Sequence, residues 1–287
     1  MILIKNRLSA GFFSNLNAVI GWYWYSMRTD TPVYIHWDGL NNQNIFDEFF
    51  NQKYTYQSHF FESDGFYQFS PFYIDLIKDA FKEDVSEDFY NKYENGWYLC
   101  KGKVYVDDDF QKLRNLYNYI YTTNLKIKPN KITTSGIPEN TLGVNYRFID
   151  MYFFNEAPDF SQPLKNHMSL DQYHSLYLEQ IEKTFEEGKY NNVYLASSQR
   201  IFFELCLNKF KDKLLYLPMQ RLDEGLWQQN RNVTLEKEYA DVLTDVFNLS
   251  NCSHLLISPS NIAFALLYMN PNITYNTFDF LKNLHTQ

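Results

Sequence analysis

The chain has 287 residues, 45% hydrophobic and 21% charged, which is long enough for two ordinary domains and too apolar for a disordered chain. The formal net charge is −8 and no basic run exceeds a few residues, which argues against a nucleic-acid backbone binder. No apolar run approaches the roughly 18 residues of a membrane span.

The opening residues MILIK read as a strand, so no signal peptide is expected. Three cysteines, Cys100, Cys206 and Cys252, show no metal spacing and leave an odd thiol in any pairing. Cys206 and Cys252 fall on apolar segments and read as core residues. The expected compartment is a reducing cytoplasm, with peripheral attachment at the inner membrane face left open. The sequons at Asn232, Asn248, Asn251 and Asn272 are what an Asn-rich chain yields by chance.

Ile2 to Ile4 reads as a strand, Ser9-Ala10-Gly11 as a small-residue loop, and Phe12 to Met27 as an apolar helix broken by Thr31-Pro32. Val33 to Trp37 is a second strand, ending at Asp38-Gly39. This is a βαβ opening and the start of a parallel sheet. Residues 41–130 are less regular, with aromatic loops over 54–72 and helices expected at Pro71 to Lys82 and Phe110 to Thr122.

From Asn140 the alternation is clean. Strands are expected at Leu142 to Tyr146, Val193 to Ala196, Leu214 to Leu217, His254 to Ile257 and Ile273 to Tyr275. The helices between them are Ser169 to Glu187, Arg200 to Phe210, Leu235 to Leu249 and Ile262 to Met269. Ser169 or Asp171 reads as the cap of the first of these helices and Gly188 as its stop. Such alternation predicts an α/β fold with a doubly wound parallel sheet. The two α/β halves should meet near Lys131 to Pro138, giving domains over 1–137 and 138–287.

Several segments carry chemistry. Arg147, in Asn145-Tyr146-Arg147-Phe148-Ile149-Asp150, sits past the carboxyl end of a strand, where ligands of open α/β sheets bind. It can clamp a diphosphate by paired hydrogen bonds, or form a surface ion pair; Asp150 can hold it or cap the next segment. Ser258-Pro259-Ser260-Asn261 opens a helix and offers hydroxyls and backbone N–H groups at its positive end. In the first loop Gly11 permits close approach of a ligand, with Ser14, Asn15 and Asn17 as polar contacts, although spacing alone favours ordinary capping. The run Asp107-Asp108-Asp109 precedes an amphipathic helix and reads as its cap rather than as a metal site. His167 and His174 have no second ligand at metal spacing, and no P-loop, HExxH or GxGxxG is present.

Three of these stretches occur in the same order in one group of enzymes. AGFFSNLN (10–17), NYRFID (145–150) and DVFNLSNCSHLLISPSN (245–261) resemble the fucosyltransferase-like glycosyltransferases. That group comprises α1,2-, α1,6- and protein O-fucosyltransferases and their bacterial or viral relatives. Arg147 and Asp150 match the group's His-x-Arg-x-x-Asp segment, with Asn145 in place of its His. Asp245, Leu249, Ser250, Ser258 and Ser260 match its closing stretch, and Ser197 falls in a small polar turn after a strand.

The resemblance implies a GT-B fold of two facing Rossmann-like halves, the first on the acceptor side and the second binding the nucleotide sugar. It implies a donor that is usually GDP-fucose and an inverting transfer to a glycan or glycolipid acceptor, with no cofactor and no metal. By it, Arg147 would bind the β-phosphate, Ser258, Ser260 and Asn261 would support the diphosphate, and Asp245 would contact the nucleoside. Gly11, Asn15, Asn17, Asn145, Asp150 and Ser197 complete the expected donor-binding set. An inverting transfer needs a base; Glu156 resembles in position an acidic residue of some relatives, and Asp38 would face the acceptor. Another GDP- or UDP-sugar as donor, or a non-catalytic carbohydrate- or nucleotide-binding role prompted by Asn145, are the alternatives.

Overall fold

The computed structural model describes residues 2–5, 11–30, 32–38, 43–52, 108–133, 136–146, 168–222, 234–258 and 260–278. The expected helix at 71–82, the loops over 54–72 and the site residues Arg147, Asp150 and Glu156 lie outside them. Two compact units form. One holds the described residues up to Thr133 together with Leu235–Ala240; the other holds those from Gly136 to Thr234 and from Asp241 onward.

In the first unit β1 (Ile2–Lys5) runs into α1 (Phe12–Thr29) and then into β2 (Val33–His36), which pairs parallel with β1 from Ile2↔Val33 to Lys5↔His36. The βαβ opening is therefore present, with α1 continuing past Met27 until Asp30 takes a left-handed conformation at its end. Phe12, Leu16, Val19, Ile20 and Tyr23 recur at helical spacing and are buried. A short helix α2 (Ile45–Phe49) and a two-residue strand β3 (Phe50–Asn51) follow. The next described helix is α3 (Asp108–Asn124), which starts within the acidic run and packs on α1. After it β4 (Lys126–Ile127) pairs antiparallel with β3. Strands this short carry no alternation, so neither β3 nor β4 shows in the sequence.

The core of this unit is aromatic. Trp37 is fully buried among Phe12, Phe46 and Tyr239, with ring centroids 5.4, 5.1 and 6.1 Å away. Side-chain amides finish the outer edge of β2. Gln52 accepts from Ile35 N and donates to Ile35 O, both at 2.7 Å, as a neighbouring strand would. Asn44 accepts from Trp37 N and also donates to Ile35 O.

The second unit contains the clean alternation. Its elements are β5 (Thr141–Asn145), α4 (Leu170–Glu187), β6 (Asn192–Ala196), α5 (Arg200–Phe210), β7 (Leu214–Leu215), α6 (Leu235–Ser250), β8 (His254–Ile257), α7 (Asn261–Met269) and β9 (Thr274–Thr277). All five strands are parallel, in the order β7-β6-β5-β8-β9. Helix α6 gives Leu235–Ala240 to the first unit and its remainder to the second. Ser169 caps α4 in a reciprocal box with Gln172, and Gly188 ends the helix.

Several boundaries differ from the sequence reading by a residue or two, and two of them have a visible cause. Strand β7 stops at Leu215, because Leu217 O accepts from the Arg221 guanidinium in a strap that runs to Leu222. Strand β9 starts at Thr274, because Ile273 N is taken by Asn270 O in the preceding turn.

One face of this sheet packs on α4 and α5: Leu142, Val144, Val193, Leu195 and Leu256 meet Tyr173, Tyr177, Ile181, Phe202 and Cys206. On the other face Gly143 lets Cys252 and Leu255 come close. A Cβ there would lie 2.7 Å from Leu255 Cδ2 and 3.0 Å from Cys252 Sγ. Cys206 and Cys252 are free, buried thiols, as expected of core residues. Among the described residues, no helix is long and apolar enough to cross a membrane.

Candidate functional site

Chain order in the second sheet reverses beside β5: β6 and β7 extend it to one side, β8 and β9 to the other. The crevice outside the carboxyl ends at such a reversal is where open α/β sheets bind ligands. Five expected donor-binding residues gather at that edge, two of them at the start of α7. Asn145 ends β5, in register with Ala196 of β6 and Ile257 of β8. Ser197 directly follows β6, Ser258 directly follows β8, and Ser260 and Asn261 open α7.

Strand alternation turns these side chains in different directions. Asn145 shares the face of Gly143; it is 3% exposed, and among the described residues its Oδ1 has no hydrogen-bond partner. Ser258 points to the other face, where its Oγ is hydrogen bonded to the Tyr177 hydroxyl at 2.8 Å, itself an acceptor from Tyr173. Its hydroxyl is therefore an interior anchor, and its backbone N–H donates to Asn145 O at 3.3 Å, tying β8 to β5 at their ends. Ser260 Oγ accepts from Ala263 N and caps α7, whose first turn has no acidic residue. The positive end of this helix opens at the switch point.

The other helix start at this edge is closed. Arg200 N donates to Leu222 O, Phe202 N to Gln199 Oε1 and Phe203 N to Gln199 O, so the first turn of α5 has few N–H groups left for an anion. Ser197 Oγ accepts from Gln199 N and holds the same loop.

Asp245 lies on α6, buried, and accepts from the Tyr194 hydroxyl at 2.8 Å; Asn248 donates to that hydroxyl from the other side at 3.0 Å. Burial pushes the Asp245 carboxyl up to about 7, against the lowering effects of the Tyr194 hydrogen bond and the Arg221 charge. The Asn248 sequon is thus interior. His174 is also buried, beside Tyr146 and Phe202, and desolvation lowers its pKa to about 4, so it stays neutral.

In the first unit, Gly11 precedes α1 and is exposed, while Asn15 and Asn17 are buried one and two turns further on. Asn15 Nδ2 donates to Gly11 O at 3.3 Å. Asp38 is exposed just past β2, its Oδ1 3.3 Å from His36 Nε2.

Sequence reasoning missed Gln199, Tyr177 and Tyr194. Gln199 sits just before an apolar helical run, in the position of a cap, but Gln is not among the favoured caps. The two tyrosines gave no signal beyond their apolar neighbours.

Over nearly its whole length the chain superposes on the crystal structure of the fucosyltransferase NodZ from Bradyrhizobium, covering 97% of this chain and 95% of that one with a TM-score of 0.52. The fold is that of the fucosyltransferase-like GT-B glycosyltransferases. NodZ α1,6-fucosyltransferase soaked with GDP-fucose matches this GT-B chain at a TM-score of 0.51 over 94% of it and 92% of NodZ. Identity is 14% in both, so the likeness is one of fold. No protein-family model and no curated protein matches the sequence.

Proposed function

We propose that the chain is an inverting, metal-independent glycosyltransferase that moves fucose from GDP-fucose to a glycan or glycolipid acceptor in the cytoplasm. The observation that carries this reading is the gathering of Asn145, Ser197, Ser258, Ser260 and Asn261 at the switch point of a sheet whose fold is shared with a structure soaked with GDP-fucose. In this reading residues 138–287 bind the donor and residues 1–137 face the acceptor.

The diphosphate sits at the start of α7, where Ser258 and Ser260 shape the turn and Asn261 and the helix N-terminus meet the negative charge. Arg147 neutralises the charge that grows on the β-phosphate as the bond to the sugar breaks. Asp150 holds Arg147, and Asp245 contacts the nucleoside. Gly11, Asn15 and Asn17 complete the donor contacts. A carboxylate, Glu156 or Asp38, takes the proton of the acceptor hydroxyl as the new bond forms. A second reading, a non-catalytic nucleotide- or carbohydrate-binding protein, is favoured by Asn145, whose orphan Oδ1 stands where the resembling enzymes carry His.

Incubation with GDP-fucose, a glycan acceptor panel and EDTA tests both. Release of GDP with fucosylated product supports the transferase. GDP binding without turnover supports the second reading. Activity that disappears with EDTA and returns with manganese would overturn metal independence.

A further inference from the structure

We infer that Gln199 is a binding residue for the nucleobase of the donor, its Nε2 donating a hydrogen bond to a carbonyl oxygen of the base. This inference rests on the nucleotide-sugar reading above. Gln199 is 5% exposed. Its amide orientation is set by chemistry, because Oε1 accepts from Phe202 N and so the NH₂ group faces the other way. Among the described residues that NH₂ group has no hydrogen-bond partner. A buried donor left unpaired is costly, so a site that preserves one has an occupant for it.

The residue is held ready. Its own N–H donates to Ser197 Oγ, and the residues on either side are tied to Leu222 through Ser198 O and Arg200 N. The occupant is the base rather than a phosphate for two reasons. The first turn of α5 has most of its N–H groups engaged, so this end of the edge is no anion seat, and a single neutral amide donor suits a neutral acceptor. Gln199 also follows β6, two strands from the α7 start that follows β8. Two inter-strand spacings are about 9–10 Å, which a nucleotide laid across the strand ends spans through its ribose. Asp245, the proposed nucleoside contact, is hydrogen bonded to Tyr194 of the same strand β6. Both groups therefore place the nucleoside toward β6.

Titration calorimetry of the full chain with GDP and with inorganic pyrophosphate tests the inference. Gln199→Met removes the donor without adding charge and should weaken GDP about two- to tenfold, the effect of one neutral hydrogen bond. Its pyrophosphate affinity should not change. Gln199→Glu keeps an acceptor for Phe202 N, so the helix cap survives if the Met variant misfolds, and it should weaken GDP by about tenfold or more. Wild-type protein that binds GDP, with both variants binding it equally well, overturns the inference alone. An equal loss of GDP and pyrophosphate in Gln199→Met overturns the assignment to the base. Wild-type protein that binds no GDP overturns the nucleotide-sugar reading and this inference with it.

Discussion

Asp245→Asn should flatten the pH dependence of folding stability. In the folded protein the carboxyl titrates at about 7, against 3.8 for the free group. An acid whose pKa is raised by folding binds its proton more tightly in the native state. Its ionisation therefore costs stability progressively as pH climbs from 3.8 toward 7, and the cost levels off above that. Each pH unit separating the folded and free values is worth ~1.36 kcal/mol, so the full penalty is about 4 kcal/mol, more than half of which develops between pH 5 and pH 8. Asparagine has no such proton. Its Oδ1 can still accept from Tyr194, so the hydrogen bond that fixes α6 to β6 has a replacement. Urea unfolding of the wild type and the variant at half-unit steps from pH 5 to 8 measures the difference. The wild type should lose stability relative to the variant across that range. Parallel curves would show that the Asp245 carboxyl is ionised throughout and that burial does not govern it.

Arg147→Ala should lower turnover by about two to three orders of magnitude with folding intact, as loss of one preorganised donor does elsewhere. Arg147→Lys should rescue it poorly, because an ammonium cannot make the planar paired contact; near-normal turnover of a folded Ala variant would reduce Arg147 to an ion-pair residue. Ser169→Ala removes half of the capping box on α4 and should cost about 1 kcal/mol in urea unfolding, most of it restored by Ser169→Asp. Gly143→Ala should destabilise by about 1–3 kcal/mol, since the new methyl meets Leu255 and Cys252; a neutral effect on the melting temperature would mean that the Leu255 side chain yields freely.

Much of the second unit was legible in the sequence, and the reason is periodicity. Arg200–Phe210 and His254–Ile257 have the bounds that apolar spacing predicted, and the capping and stop residues of α4 stand where Ser169 and Gly188 placed them. What stayed hidden depends on contacts between distant segments. No local pattern announces that Leu222 will pair beside Ser198 and Arg200 and close the start of α5. The edge of the sheet was legible as the place where the candidate residues meet, but not the direction of each hydroxyl. That direction follows from strand parity: Asn145 and Ser258 end adjacent strands yet face opposite layers, so one presents an unmet acceptor while the other is anchored by Tyr177. The Asp107–Asp109 run has a local cause, a helix that begins at Asp108.

The position of β5 has a consequence for how the chain is made. Its partner on one side, β6, is synthesised soon after it, but its partner on the other side, β8, is completed only at Ile257, 112 residues after Asn145 (257 − 145). At ~5–20 residues per second, that is roughly 6–20 s of translation. Throughout that interval the nascent chain carries a strand of Leu142 and Val144 with one unpaired edge, which invites pairing with other extended chains. The crevice beside Asn145 comes into existence only when the late strand slots in. A ribosome stalled before residue 257 would thus hold a partly folded chain without the proposed nucleotide seat, and chaperone demand should peak in that window.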